Sequence, residues 1–303
     1  MRRLEFHAMG SRIVAVVDGE QAPPQFDHLP GQFEAWEQSL SRFRNDSELC
    51  ELNRRAGTPV AVSQVLWDVF EAAREADRRT GGLVNPLVME ALIQAGYGQS
   101  FYRLVEEAPE ADFFAEALPV PPLDSIVTDD RARRLCLPPG AQLDFGGVAK
   151  GWAAHQAMLS LSACGPALAG AGGDLALSGP RADGGPWEIA VDDPYREGSF
   201  IESLFVEGGG IATSGRDYRR WRRGGAWQHH IIDPRTGRPA ETDILTATVI
   251  APDAMQAEAL AKAMLIVGSR AALDWLDADD DLAGLLCLED GRRLDSRNLE
   301  RYL

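Results

Sequence analysis

Lysine is nearly absent from this chain of 303 residues, although basic residues as a class are not. Of its 30 Lys and Arg residues, only Lys150 and Lys262 are lysines. A bias towards Arg can simply follow genome composition, but Lys is a compact, titratable charge and Arg is not. Both lysines lie inside motifs described below, so each is a candidate for a functional role.

Positive charge is in short supply overall. The formal net charge is −16 and the sequence pI is about 4.7. This balance argues against sequence-independent binding to nucleic acid and against an anionic membrane surface. No segment reaches the ~18 continuous apolar residues of a membrane-spanning helix. We therefore expect neither a nucleic-acid partner nor a membrane span.

Cysteine is also scarce. The four cysteines, Cys50, Cys136, Cys164 and Cys287, contain no CxxC pair, which excludes metal-ligand spacing and a dense disulfide framework. Reduced thiols suit a reducing compartment. The first twelve residues include no apolar run long enough for a signal peptide and no lipobox-like cysteine. The sequence as written predicts a cytoplasmic protein.

Helix-like and strand-like segments are interleaved without regular βαβ spacing. Helical periodicity predicts helices over residues 65–80, 148–161 and 254–268, and β-branched residues predict a strand over 246–250. Proline predicts a loop over residues 21–30. This arrangement favours an α+β fold with mixed or antiparallel sheets and flanking helices, in a single domain spanning residues 1–303.

Three glycine-containing segments could hold an anionic ligand. Residues 143–151 read as a strand ending at Asp144, two glycines, and a helix start carrying Lys150, where backbone N–H groups suit phosphates. Gly172-Gly173-Asp174 would let a flat ligand approach the backbone closely. Ser214-Gly215 could bind a sugar or phosphate edge. Each segment alone is equally compatible with an ordinary turn or loop.

Two further segments concentrate polar chemistry. Residues 230–237 place His230, Asp233 and Thr236 around the backbone-restricting Pro234 and the permissive Gly237. Adjacent strand residues point to opposite faces, so His229 and His230 cannot easily share a ligand, and His230 is the better candidate. Glu258 and Lys262 share one helix face at i,i+4 spacing. They form either a plain surface pair or, on this largely apolar helix, a buried pair whose desolvation cost suggests a functional role.

In this order the motifs resemble the ApbE family, the flavin transferases that take FAD and attach FMN to a protein hydroxyl. The resemblance runs from Phe6 to about Asp277. It is carried by the segments Ala8-Met9-Gly10-Ser11, Ser41-Arg42-Phe43, Ser47-Glu48-Leu49 with Leu52-Asn53, 144–151, Gly172-Gly173-Asp174, Ser214-Gly215 and 230–237.

The resemblance implies one ApbE-like domain that binds FAD as substrate, moves FMN onto a Ser or Thr hydroxyl of a target protein and releases AMP. It implies catalytic roles for His230 and Asp233. Lys262 is a third catalytic candidate, at a position where the chain departs from the family pattern. It places the nucleotide against Met9, Asp144, Lys150, Gly172, Gly173, Asp174, Ser214, His230 and Thr236.

The chain departs from the family pattern at the metal site. Family members hold Mg²⁺ with an Asp and a Thr of one helix, where this chain has Glu258 and Lys262. Val84-Asn85 lacks a carboxylate of the family pattern, and His155 replaces another acid. We expect either an altered Mg²⁺ site that keeps Glu258 as a ligand or a cation supplied by Lys262. Two alternatives to transfer stay open: an FAD-binding protein with little or no transferase activity, and an FAD pyrophosphatase in which water replaces the target hydroxyl.

Overall fold

The computed structural model describes residues 1–99, 119–223 and 226–303. The helices are α1 (Gln25–Leu40), α2 (Glu48–Arg54), α3 (Gln64–Thr80), α4 (Met89–Gln94), α5 (Ala149–Ser162), α6 (Ala254–Val267) and α7 (Ser269–Asp277). Short 3₁₀ helices cover Pro86–Val88, Leu123–Ser125 and Arg297–Tyr302. The strands are β1 (Arg2–Ala8), β2 (Ser11–Val17), β3 (Val60–Ala61), β4 (Val127–Asp129), β5 (Arg134–Cys136), β6 (Ala167–Ala171), β7 (Asp174–Leu177), β8 (Trp187–Asp192), β9 (Phe200–Val206), β10 (Gly209–Gly215), β11 (Arg220–Arg223), β12 (Ala226–His229), β13 (Ile232–Asp233), β14 (Arg238–Pro239), β15 (Ile244–Ala251), β16 (Ala283–Leu288) and β17 (Arg293–Asp295).

The chain divides into two compact units, each assembled from separate stretches of sequence. The first unit combines Met1–Ala35, Val148–Gly215 and Thr242–Leu303. The second combines Trp36–Gly147 and Arg216–Glu241. The single domain over residues 1–303 stays a prediction.

The first unit is built on an eight-stranded sheet with the order β1-β2-β6-β7-β10-β15-β16-β17. Every neighbouring pair in this sheet is antiparallel. Helix α5 packs on β6 and β7, α6 packs on β10 and β15, and the two helices contact each other. The sheet face under the helices carries small buried residues, including Ala171 and Ala212, so the helices can approach closely. The opposite face carries larger side chains such as Ile211 and Leu285, which pack against the β8–β9 hairpin.

The second unit has smaller elements. Helix α3 buries Leu66, Val69, Phe70 and Ala73, the residues whose spacing predicts it, and its Ser63 cap accepts the Leu66 N–H. A three-stranded sheet has the order β3-β5-β4, and β11–β12 and β13–β14 form two-stranded ribbons. A separate cluster, including Leu92, Tyr97 and Trp221, lies between α4 and these ribbons.

The predicted α+β class with antiparallel sheets and flanking helices is confirmed. The helices predicted over 65–80, 148–161 and 254–268 correspond to α3, α5 and α6 within one residue at each end. The loop predicted over residues 21–30 is wrong in its second half, because α1 begins at Gln25 and contains Pro30. In the described part of the chain, no helix combines the length and apolar character needed to cross a membrane.

Candidate functional site

Two lysines and two acids meet in the first unit between α5, α6 and the sheet. Lys150 lies in the first turn of α5, and Asp174 is the first residue of β7. Asp174 of β7 lies opposite Ala212 of the neighbouring strand β10. Its side chain therefore lies on the sheet face that the helices cover. Glu258 and Lys262 are one turn apart on α6. We call Lys150, Asp174, Glu258 and Lys262 the charge quartet.

The contacts of the charge quartet converge on Glu258. Its Oε1 accepts hydrogen bonds from Lys150 Nζ at 3.1 Å and from Lys262 Nζ at 3.0 Å. Its Oε2 accepts the Gly151 backbone N–H at 2.8 Å. Lys150 Nζ also contacts Asp174 Oδ2. The two acids are therefore joined through Lys150, and Lys262 adds a second cation on the same carboxylate oxygen.

Gly151 makes this arrangement possible. A Cβ atom at this position would lie 2.8 Å from the Ala254 carbonyl oxygen and 2.8 Å from Glu258 Oε2. Both distances are far shorter than a normal van der Waals contact, so any side chain would force α5 and α6 apart. The lack of a side chain also exposes the Gly151 N–H to Glu258. Gly151 thus sets the spacing between α5 and α6 and also donates a hydrogen bond to the Glu258 carboxylate.

Burial sets the direction of the pKa shift for Asp174 and Lys262 but not for Glu258. Burial raises the pKa of the Asp174 carboxyl to about 6, although the Lys150 ammonium opposes the shift. Burial also disfavours ionised Glu258, but Lys150, Lys262 and the Gly151 N–H overcome it and lower its pKa to about 2. Burial lowers the pKa of Lys262, whereas ionised Glu258 favours its charged form. With both acids and both lysines ionised, the net charge of the quartet is zero.

The glycine turns lie at the same end of the sheet as the quartet. Met9 has a left-handed φ of 51° in the turn between β1 and β2. Gly172 and Gly173 form the turn between β6 and β7, and the Gly172 N–H donates to the Arg12 carbonyl at 3.0 Å. Ser214 is buried two residues beyond Ala212 in β10, on the same face of the sheet as Asp174. The structure therefore brings together the predicted nucleotide residues of the first unit.

Asp144 belongs to the second unit, and its carboxylate is already engaged there. It lies 2.5 Å from Arg42 Nε and accepts the Gly146 N–H at 2.6 Å. The Arg42 guanidinium in turn stacks over the Phe43 and Tyr97 rings, at 4.2 and 4.6 Å from their centroids. Asp144 thus fixes the Gly146 turn, and its contact with a nucleotide stays a prediction.

The two adjacent histidines, also in the second unit, have different surroundings. His229 is buried, its Nε2 lies 3.1 Å from the Ala240 carbonyl oxygen, and its Nδ1 accepts the Ile231 N–H at 3.3 Å. His230 follows β12, is half-buried and meets the Tyr97 ring edge-on with centroids 6.5 Å apart. The structural histidine is therefore His229, and the ring of His230 is the one partly open to a ligand.

The Asp233 loop is held by hydrogen bonds within itself. Its carboxylate binds Arg235 in a two-point ion pair, with Nε–Oδ1 at 2.9 Å and Nη2–Oδ2 at 2.8 Å. Its backbone carbonyl accepts the Thr236 and Gly237 N–H groups. Thr236 is exposed, and Gly237 has a φ of 66°. The local role of Asp233 is therefore to fix this loop.

Sequence reasoning missed two contributors. Gly151 lies inside the recognised 144–151 motif, but its N–H bond to Glu258 joins residues 107 positions apart, which no local pattern reveals. Arg42 lies inside the Ser41-Arg42-Phe43 segment, between the two residues that carry the resemblance. Its partner Asp144 is also remote in sequence.

The charge quartet does not fit a divalent cation. Mg²⁺ prefers six oxygen ligands at about 2.1 Å. Glu258 Oε1 already accepts two ammonium groups, and Lys262 cannot ligate a metal while charged. A dication about 4 Å from one ammonium would be repelled by about 8 kcal/mol at an effective dielectric constant of about 20. Nowhere in residues 1–99, 119–223 and 226–303 do three His, Cys, Asp or Glu side chains form a group that could hold a metal.

Comparisons with known proteins agree with one another. The model described as the ApbE family matches residues 9–286. A protein named FAD:protein FMN transferase from Salmonella typhimurium is 29% identical over 279 residues, which cover 89% of this chain and 79% of that protein. A protein of the same name from Treponema pallidum is 32% identical over 250 residues, covering 77% of this chain and 68% of that protein. The crystal structure of the ApbE protein from Thermotoga maritima matches with a TM-score of 0.81 and 26% identity, over 99% of this chain and 98% of that one.

Proposed function

Because this chain belongs to the ApbE family, we propose that it transfers FMN from FAD to a Ser or Thr hydroxyl of a target protein and releases AMP. A flavin-binding protein without transferase activity is not favoured, because the relatives matched over most of the chain are named as transferases. FAD is then the small-molecule substrate, and the target protein is the second partner.

The observation that carries this proposal is the charge quartet beside the Gly172-Gly173 turn. A diphosphate is an anion that needs positive charge and N–H donors close by. This chain has only two lysines, and both ammonium groups are in the quartet. The side chain of Lys150 also passes within 3.8 Å of the place that a Gly172 Cβ would occupy. We assign the diphosphate of FAD to this end of the sheet.

The proposed reaction is a phosphoryl-type transfer, in which positioning and charge compensation supply most of the catalysis. The hydroxyl oxygen of the target forms a bond to the FMN-side phosphorus, and the phosphoanhydride bond to AMP breaks. AMP departs with the bridging oxygen. We assign the proton of the hydroxyl to His230, because its ring is half-buried whereas the His229 ring is buried and bonded to the backbone. Asp233 and Thr236 hold the loop that follows His230.

Magnesium has no step in this proposal, because the donor set at Glu258 and Lys262 does not fit it. We also propose the cytoplasm as the compartment. In support, Cys50, Cys136, Cys164 and Cys287 are all free thiols, as a reducing environment would keep them.

A covalent labelling experiment tests the function. The chain is incubated with FAD and a protein that carries a flavinylation motif, and the products are separated under denaturing conditions. We expect flavin fluorescence that stays with the target protein and disappears when its acceptor Ser or Thr is replaced by Ala. Fluorescence that is lost on denaturation, or that is unaffected by the acceptor change, would contradict the proposed transfer.

A further inference from the structure

The four members of the charge quartet differ in their access to solvent. The side chains of Glu258 and Asp174 are 0% and 1% exposed, whereas those of Lys262 and Lys150 are 12% and 16% exposed. The two carboxylates are therefore shielded from solvent, whereas the two ammonium groups are partly exposed to it. A ligand that reaches the quartet meets ammonium groups first. This order suits an anion and opposes a metal ion.

Lys262 also keeps bonding capacity for a ligand. An ammonium group has three N–H donors. In the part of the chain that the structure describes, Lys262 Nζ bonds two acceptors, both on Glu258: Oε1 at 3.0 Å and the backbone carbonyl at 3.5 Å. One donor is left for an incoming oxygen atom. Glu258 fixes the position of the Lys262 ammonium group, and its Oε1 is itself held by a hydrogen bond from Lys150.

The mismatch with a divalent cation has a simple physical resolution. A metal ion beside a diphosphate supplies positive charge and orients oxygen atoms. A lysine held by a buried carboxylate supplies one fixed positive charge and directed N–H donors. Lys262 does so on α6, at the position where the family pattern has a metal ligand. Two such lysines carry the formal charge of one dication, while Asp174 and Glu258, which hold them, bring the net charge of the quartet to zero. Glu258 then acts as an anchor for the lysines rather than as a metal ligand.

Resting on the proposed function, we propose that Lys262, together with Lys150, takes the place of the divalent cation and binds the diphosphate of FAD without a metal. The recognised chemistry is a dinucleotide diphosphate with a net charge of about −2. Asp174 and Glu258 are positioning residues, because they hold the lysines and do not touch the ligand.

The two-lysine composition makes the test direct. In protein labelled biosynthetically with ¹³C-lysine, only Lys150 and Lys262 contribute side-chain NMR signals, and Lys262→Met assigns them. FAD is titrated in the presence of EDTA, and MgCl₂ is titrated separately without FAD. We expect FAD to shift the Lys262 signal in EDTA and MgCl₂ alone to leave it unchanged.

Calorimetry supplies the affinities. The dissociation constant for FAD should differ by less than about twofold between EDTA and MgCl₂, and Lys262→Met should weaken it by about tenfold or more. The surface variant Arg74→Met is the matched control, because it removes an exposed positive charge on α3 and should leave the affinity unchanged. The double variant Glu258→Asp with Lys262→Thr should bind FAD more tightly in MgCl₂ than in EDTA.

The outcomes separate this proposal from the proposed function. FAD that binds only in MgCl₂, or a Lys262 signal that MgCl₂ alone shifts, would overturn metal replacement and leave the transferase proposal standing. FAD that binds in neither condition would overturn both. If the double variant does not fold, the wild-type titrations and Lys262→Met still decide the question.

Discussion

Asp174 carries a pH dependence that stability measurements can detect. Burial raises the pKa of its carboxyl in the folded protein to about 6, from its ordinary value of 3.8. The folded state therefore holds this proton more tightly than the unfolded state. Its stabilising contribution is complete below about pH 4 and is lost as the pH rises through about 6.

The variant Asp174→Asn lacks this proton. We predict that the unfolding free energy of the wild type, minus that of Asp174→Asn, falls by up to about 3 kcal/mol between about pH 4 and pH 6. Urea unfolding of both proteins at a series of pH values measures it. A difference that is constant or rises across this range would contradict the burial of Asp174 as an ionisable group.

The adjacent histidines give a matched pair of variants. His229→Ala removes a ring that satisfies the Ala240 carbonyl and the Ile231 N–H, so we predict a loss of about 1–3 kcal/mol of stability. His230→Ala should change stability less and lower the transfer rate by about 100-fold or more, if it accepts the hydroxyl proton. Thermal unfolding and single-turnover kinetics of both variants separate the roles. A wild-type rate in His230→Ala would remove it from the mechanism.

Individual contacts were predictable only where they are local in sequence. The helical spacing of Glu258 and Lys262 predicts their pairing, and the structure has it at 3.0 Å. The apolar neighbours correctly indicated that Glu258 is buried, whereas Lys262 keeps 12% of its side chain exposed. The contacts of Glu258 with Lys150 and Gly151 depend on how α5 meets α6, and no sequence pattern encodes that distance.

Helix α1 shows why element boundaries are hard to predict. Pro30 suggests a break, because proline removes a backbone donor and clashes with the preceding turn. The helix nevertheless begins at Gln25, and Phe26 and Leu29 are buried in the same stripe as Phe33. Burial of these large side chains, each worth about 1.5–3 kcal/mol, outweighs the cost of the proline.

The spacing between α5 and α6 can be tested with two helical glycines. Gly151→Ala places a Cβ 2.8 Å from the Ala254 backbone oxygen. We therefore predict a loss of about 1–3 kcal/mol in the free energy of unfolding and a weaker hydrogen bond from the residue 151 N–H to Glu258. Gly31→Ala in α1 meets nothing within 4 Å and should gain up to about 1 kcal/mol from helix propensity. Denaturant unfolding compares them. Equal effects of the two changes would show that Gly151 does not set the helix spacing.

At the scale of the whole molecule, motif order was more informative than secondary structure. The α+β class follows from interleaved helices and strands, but the sheet order does not. Pairing β2 with β6, or β7 with β10, joins strands that are distant in sequence, and no local sequence pattern specifies which distant strands pair. The ordered set of motifs, by contrast, identified the family that the comparisons show.

The most direct test of the account is the stoichiometry of the products. The chain, FAD and the target protein are incubated, free AMP is measured by chromatography, and target protein carrying FMN is measured by intact mass. We predict one AMP for each FMN attached to the target, and no AMP when the acceptor hydroxyl is removed. AMP accompanied by free FMN would show that water takes the phosphoryl group, and FAD that remains intact would show binding without transfer; either result would contradict the account.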